Sequence, residues 1–110
     1  MTTENGTKKG GLADLNGSAT RRVEPLFELG EIYLTRGALE LPNRDIFESL
    51  RRHVCGDWGN LDRPDWKQNE LALQNGSRLL SAYRASNGVK FWIITEWDRS
   101  ITTVLLPKEY

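Results

Sequence analysis

The sequence holds one cysteine, one histidine, one methionine and four prolines among its 110 residues. A lone Cys55 has no partner for an intramolecular disulfide, and with His53 as the one histidine there is no ligand set for a conventional zinc site. A reducing, cytoplasmic setting follows, with no metal and no other cofactor expected. Long hydrophobic runs are also missing. Nothing approaches the roughly 20 apolar residues of a membrane span, and the first residues carry no apolar core of the kind that heads a secreted chain. Net charge is absent as well, because fifteen Lys and Arg balance fifteen Asp and Glu. A neutral total gathers no phosphates from a distance, which disfavours nucleic acid as a partner and leaves it only a local patch.

What is present is enough for one small core: 38% of the residues are apolar and 27% charged, too short a chain for two cores. Residues 1–24 are rich in Thr, Gly, Asn and Ser and show no apolar periodicity, so they read as a disordered tail; residues 25–110 read as a single α+β domain. The densest run of β-branched and aromatic residues is Lys90–Pro107, two strands around a charged turn. Upstream, the pattern predicts a first strand over about Phe27–Thr35. A helix over Arg44–Val54 follows, capped by Asn43 and ended by Gly56 as a left-handed residue. Its apolar stripe is Ile46, Phe47, Leu50 and Val54, with His53 at the edge. A second helix starts at Asp62, with Pro64 in its first turn and Asn75-Gly76 at its end.

Arg78–Ala85 is the next strand, and Asn87-Gly88 suits a two-residue type I′ turn. That loop would set Ala82 opposite Ile93, Tyr83 opposite Trp92 and Arg84 opposite Phe91. Carried around Asp98-Arg99, the register pairs Ile93 with Val104 and Glu96 with Ile101. The expected architecture is therefore a small antiparallel sheet, made of a strand, two helices and a three-stranded meander, with the helices on one face. Both sheet faces are apolar enough to need cover, so the second face is either an interface or is covered by a terminal segment.

Several stretches together resemble a known family: Arg52-His53, Gly56-Asp-Trp-Gly59, Asn69, Gly76-Ser-Arg78, Ser81-Ala-Tyr83, Trp92-Ile-Ile-Thr-Glu96, Asp98-Arg-Ser100 and Thr102-Thr-Val-Leu-Leu-Pro107. They resemble, in order over about Phe27–Tyr110, a family of small bacterial proteins found on plasmids and other mobile elements and labelled plasmid-related. The resemblance implies a setting, mobile DNA, in which small proteins often inhibit host defences or act as toxins. It supplies no mechanism.

Two function classes follow. The first is a non-enzymatic protein-binding domain, an inhibitor of a host nucleic-acid-targeting defence system. Its contact residues would be Arg52, Asp57, Trp58, Trp97, Asp98 and Arg99, because Trp58 and Trp97 lie in or beside turns while Trp66 and Trp92 read as core. The alternative rests on looser topological similarity to messenger-RNA-cleaving toxins and barnase-like folds. It is a metal-independent ribonuclease with His53 and Glu96 as acid and base and Arg99 as the cation on the phosphate, helped by Thr102 or Thr103. That reading requires His53, Glu96 and Arg99 to converge in an open groove.

Overall fold

The computed structural model describes residues 24–110, so the tail expected over residues 1–24 lies, but for Glu24, outside the described residues. The elements are β1 (Glu31–Leu34), a 3-10 turn (Ala38–Glu40), α1 (Asn43–Val54), α2 (Arg63–Asn75), β2 (Leu79–Arg84), β3 (Lys90–Thr95), β4 (Ile101–Leu105) and a second 3-10 turn (Pro107–Glu109). One four-stranded sheet has the order β1-β4-β3-β2. The meander β2-β3-β4 is antiparallel as expected, and β1 joins it parallel to β4. The two helices form a crossover that starts β2 in the direction of β1, and the meander then brings β4 back to that direction beside β1.

The β3–β4 register is the expected one: Ile93 faces Val104, and the Glu96 amide donates to the Ile101 carbonyl at 2.9 Å. The β2–β3 register is not. Tyr83 faces Phe91 and Ala82 faces Trp92, one residue away from the two-residue turn. The loop has three residues, because the Gly88 amide donates to the Ala85 carbonyl at 2.8 Å and the Ala85 amide to the Val89 carbonyl at 2.8 Å. Gly88 alone takes the left-handed angle, at φ +90°, so the turn is type I closed by a glycine bulge. A tertiary contact holds this form: the amide and the hydroxyl of Ser86 both donate to the Asp45 carboxylate on α1 at 2.8 Å. Shifting a strand by one residue moves its side chains to the opposite face. Leu79, Ser81 and Tyr83 therefore join Phe91, Ile93, Thr95, Thr102 and Val104 on the face beneath the helices, and all eight are buried.

The helices show a second correction. Pro42 occupies the N-cap position of α1, so Asn43 lies inside the helix and caps nothing. The buried stripe is Ile46, Ser49, Leu50 and His53, whereas Phe47 is 72% exposed. Spacing of three and four residues is kept, but the stripe is turned toward His53, whose imidazole finds hydroxyl partners on the sheet that an apolar count does not register. Gly56 ends α1 as expected, at φ +86°, with the Gly56 amide on the His53 carbonyl and the Asp57 amide on the Arg52 carbonyl. For α2, the Asp62 side chain accepts from the Asp65 amide at 3.0 Å, and Gly76 closes the helix at φ +73°.

The free side of β2 is sealed. The Ala82 amide donates to the Trp58 carbonyl at 3.1 Å and the Asn60 amide to the Ala82 carbonyl at 2.6 Å. Two residues along, the Asn69 amide group donates to the Leu80 carbonyl at 2.6 Å, and its oxygen accepts from the Leu80 amide at 3.2 Å. Asn69 thus acts as a strand substitute. Asn69→Leu keeps the branched outline and strands both backbone groups, so it is expected to cost at least roughly 1–3 kcal/mol, read as a lower urea midpoint with an unchanged m-value.

The second sheet face is covered in part by the chain's last residues. Tyr110 meets Trp92 edge to face, with ring centroids 5.7 Å apart, and Ile94 and Leu105 are buried there. Among the described residues, no helix is long and apolar enough to cross a membrane.

Candidate functional site

His53, in the last turn of α1, is fully buried. Its Nδ1 lies 2.5 Å from the Ser81 hydroxyl and its Nε2 2.9 Å from the Thr95 hydroxyl. Thr95 and Thr102 hydroxyls are 2.7 Å apart, and Thr102 donates to the Leu29 carbonyl at 2.6 Å. The proton positions follow from the end of this chain, since a carbonyl can only accept. Thr102 gives its proton to Leu29, so Thr95 gives its own to Thr102 and must accept from His53. Nε2 therefore carries hydrogen, and in the neutral ring Nδ1 accepts from Ser81. Burial, with the Arg99 charge nearby as a lesser cause, pushes the imidazole pKa down to about 3. His53 is a neutral tie joining α1, β2, β3, β4 and the segment before β1.

Two aromatic rings close over it. Phe27 meets the imidazole edge on at 5.2 Å, and Trp58 does so at 5.6 Å. Trp58 was expected at a partner surface, but it is fully buried. Its indole N–H donates to the Glu70 carboxylate on α2 at 2.9 Å. The Gly-Asp-Trp-Gly loop has to pass against β2 to seal the sheet edge, and this drives the indole inward beneath α2.

Arg52 and Asp57 pair at the end of α1. Arg52 Nε donates to Asp57 at 2.8 Å and Nη2 at 3.3 Å, while the guanidinium lies 4.8 Å from the Tyr83 ring centroid. The same loop gives its Asp57 carbonyl to the Tyr83 hydroxyl at 2.6 Å. Burial pushes that phenol's pKa up. With side chains 40% and 45% exposed, the ion pair contributes little stability, about 1 kcal/mol or less. Its role is to fix the loop.

Arg99 is the one non-glycine residue at positive φ among those described, at +60°. Its Nη1 donates to the carbonyls of Ser77 at 2.6 Å and Glu96 at 3.2 Å, and Nη2 to that of Ala72 at 3.1 Å. A cation at the carbonyl end of α2 complements the helix dipole. The guanidinium also stands 5.7 Å from the Phe27 ring centroid, so one ring contacts both Arg99 and His53. Glu96 is committed elsewhere: its carboxylate takes the Arg78 Nε at 3.3 Å, and Arg78 also donates to the Tyr110 hydroxyl at 2.8 Å. By strand alternation Glu96 projects to the face opposite Thr95 and His53.

His53, Glu96 and Arg99 are thus not gathered around a common opening. The imidazole has no exposed edge, the carboxylate lies across the sheet, and the guanidinium satisfies backbone carbonyls. Thr102 belongs to the buried chain. Arg52 is likewise engaged, with Asp57 and over the Tyr83 ring. What remains outward is the β3–β4 turn. Asp98 accepts from the Ser100 amide at 3.1 Å and from its hydroxyl at 2.7 Å, and these bonds hold the Asp98 carboxyl below its usual pKa range. Trp97, at the crest, is 67% exposed.

Sequence reasoning missed Ser81, Thr95 and Asn69 as partners, and Phe27 as the ring that meets both Arg99 and His53. The signal for Ser81 and Thr95 was available, because both fall on the helix-covered face once the glycine-bulge loop is assumed. A separate groove of about 830 Å³ is lined by Leu61, Arg63, Pro64, Trp66, Lys67 and Glu70. Among the described residues, no three His, Cys, Asp or Glu side chains gather as a metal ion would need. Comparisons with family models, curated proteins and solved structures find no match to this chain.

Proposed function

We propose that this chain is a non-enzymatic protein-binding domain that meets its partner through the β3–β4 turn. The observation that carries this reading is Trp97, an indole 67% exposed on a turn whose backbone is fixed on every side. Ser100 and Asp98 lock the crest, Arg99 ties it to α2, and the Glu31 amide bonds the Ser100 carbonyl at 2.9 Å. A large side chain carried on a backbone already ordered before binding spares the cost of ordering the loop, and tryptophans often anchor interfaces. The mobile-element setting implied by the resemblance would suit a partner in a host nucleic-acid-targeting defence system, inhibited by occlusion of its surface.

Trp97→Ala tests this. An exposed indole supports no core, so the variant should unfold within about 0.5 kcal/mol of the parent. A host protein retained from lysate by the parent should be lost, with affinity reduced at least tenfold, or about 1.4 kcal/mol. Equal capture by both proteins would remove Trp97 from the contact.

A further inference from the structure

The two edges of the sheet are treated differently. The β2 edge is sealed by the Trp58–Asn60 backbone and by Asn69. The other edge is β1. There the Glu31 amide bonds the Ser100 carbonyl and the Thr35 amide bonds the Val104 carbonyl, so the odd-numbered residues face β4. The amides and carbonyls of Ile32 and Leu34 therefore point away from the sheet. Nothing among the described residues takes them up. Ile32 is 46% exposed and Tyr33 51% exposed, and the strand carries no proline, lysine or bulge of the kind that blunts an open edge.

We infer that β1 is a pairing edge for a second copy of this chain, forming a two-fold dimer with one continuous sheet. The sequence of the edge is self-complementary in one antiparallel register. With the axis through Tyr33, Ile32 of one copy faces Leu34 of the other, and each residue's amide reaches the opposing carbonyl. Tyr33 then lies beside its own counterpart on one face, and Ile32 packs with Leu34 on the other. Glu31 falls opposite Thr35, so no like charges meet. The strand is only four residues long, and the contact stays below the roughly 1,200 Å² of a stable interface. Association is therefore weak.

Proline at position 32 isolates the claim. It removes the outward amide hydrogen and leaves the bonds of Glu31 and Thr35 to β4 untouched, a placement that edge strands tolerate. In sedimentation equilibrium up to about 1 mM, the parent is expected to move from the chain mass of 12.6 kDa toward twice that value. Ile32→Pro, and Ile32→Lys as a variant with an unaltered backbone, are expected to stay monomeric with unchanged circular dichroism. Three outcomes would overturn the inference. One is a parent that stays monomeric throughout, as it would if a strand from elsewhere in the chain filled the edge. Another is a dimer that persists in both variants. The third is a dimer lost only in Trp97→Ala, which would place the contact at the β3–β4 turn.

Discussion

Gly59→Ala is expected to lower the unfolding free energy by roughly 3 kcal/mol or more. Gly59 sits at φ +77°, where a side chain is strained, and a Cβ placed on it would lie 2.0 Å from the Ala82 carbonyl oxygen and 2.7 Å from the Tyr83 ring. The conformation alone costs a non-glycine residue about 1–2 kcal/mol. The contact adds to this because neither neighbour can yield. Ala82 is bonded on both sides of Gly59, to Trp58 and Asn60, and Tyr83 is held by its hydroxyl and by the Phe91 ring 5.8 Å away. Gly88→Ala is the control: the angle is also left-handed, at +90°, but a Cβ there meets nothing within 4 Å. Urea denaturation of both variants separates the terms, and equal losses would refute the close approach at Gly59.

His53→Ala is expected to cost roughly 3–4 kcal/mol at pH 7, because it opens a cavity and leaves Ser81 and Thr95 without their buried partner. It is also expected to change how stability depends on pH. The native imidazole has a pKa of about 3, whereas the unfolded chain binds the proton near the usual 6.5. Between those values the unfolded state holds the extra proton, so stability is fully present above about pH 6.5 and falls as pH drops toward 3, by about 1.4 kcal/mol per pH unit. Asp45, Asp98 and Glu109 also have native pKa values below the ordinary carboxylate range, through hydrogen bonds from Ser86, Ser100 and Thr35 respectively. Their share of the loss begins only below about pH 5. The window from pH 6.5 to 5 belongs to His53. Urea midpoints measured across it should fall for the parent and stay level for His53→Ala, and parallel slopes would contradict the burial of a neutral ring.

Much of the fold was legible because local chemistry and tertiary structure agree. Asp62 and Pro64 start α2, Gly56 and Gly76 end the helices, and the charged turn sets the Ile93–Val104 register. Errors arose where a distant group decides. Asn87-Gly88 alone favours a two-residue turn, but Asp45 on α1 captures Ser86 and stabilises the longer one, which moves Tyr83 and Ser81 to the covered face. Once Ser81 and Thr95 lie there, α1 turns His53 inward and leaves Phe47 exposed, against the apolar count. The candidate site was less legible than the fold. Trp58 and Trp97 both flank turns, and only the passage of the Gly-Asp-Trp-Gly loop along β2 buries one of them. No feature of Glu96 or Arg99 in the sequence announces that one is drawn to Arg78 and the other to the end of α2.

His53 ties α1 to the sheet as a buried, neutral imidazole. Nitrogen-detected NMR of the imidazole between pH 7.5 and 4.5 tests it most directly. The expected result is a single neutral tautomer with hydrogen on Nε2 and no titration across that range. An imidazole that titrates near pH 6.5, or one protonated on Nδ1, would contradict the buried chain from Ser81 to Leu29 and return His53 to the list of reactive groups.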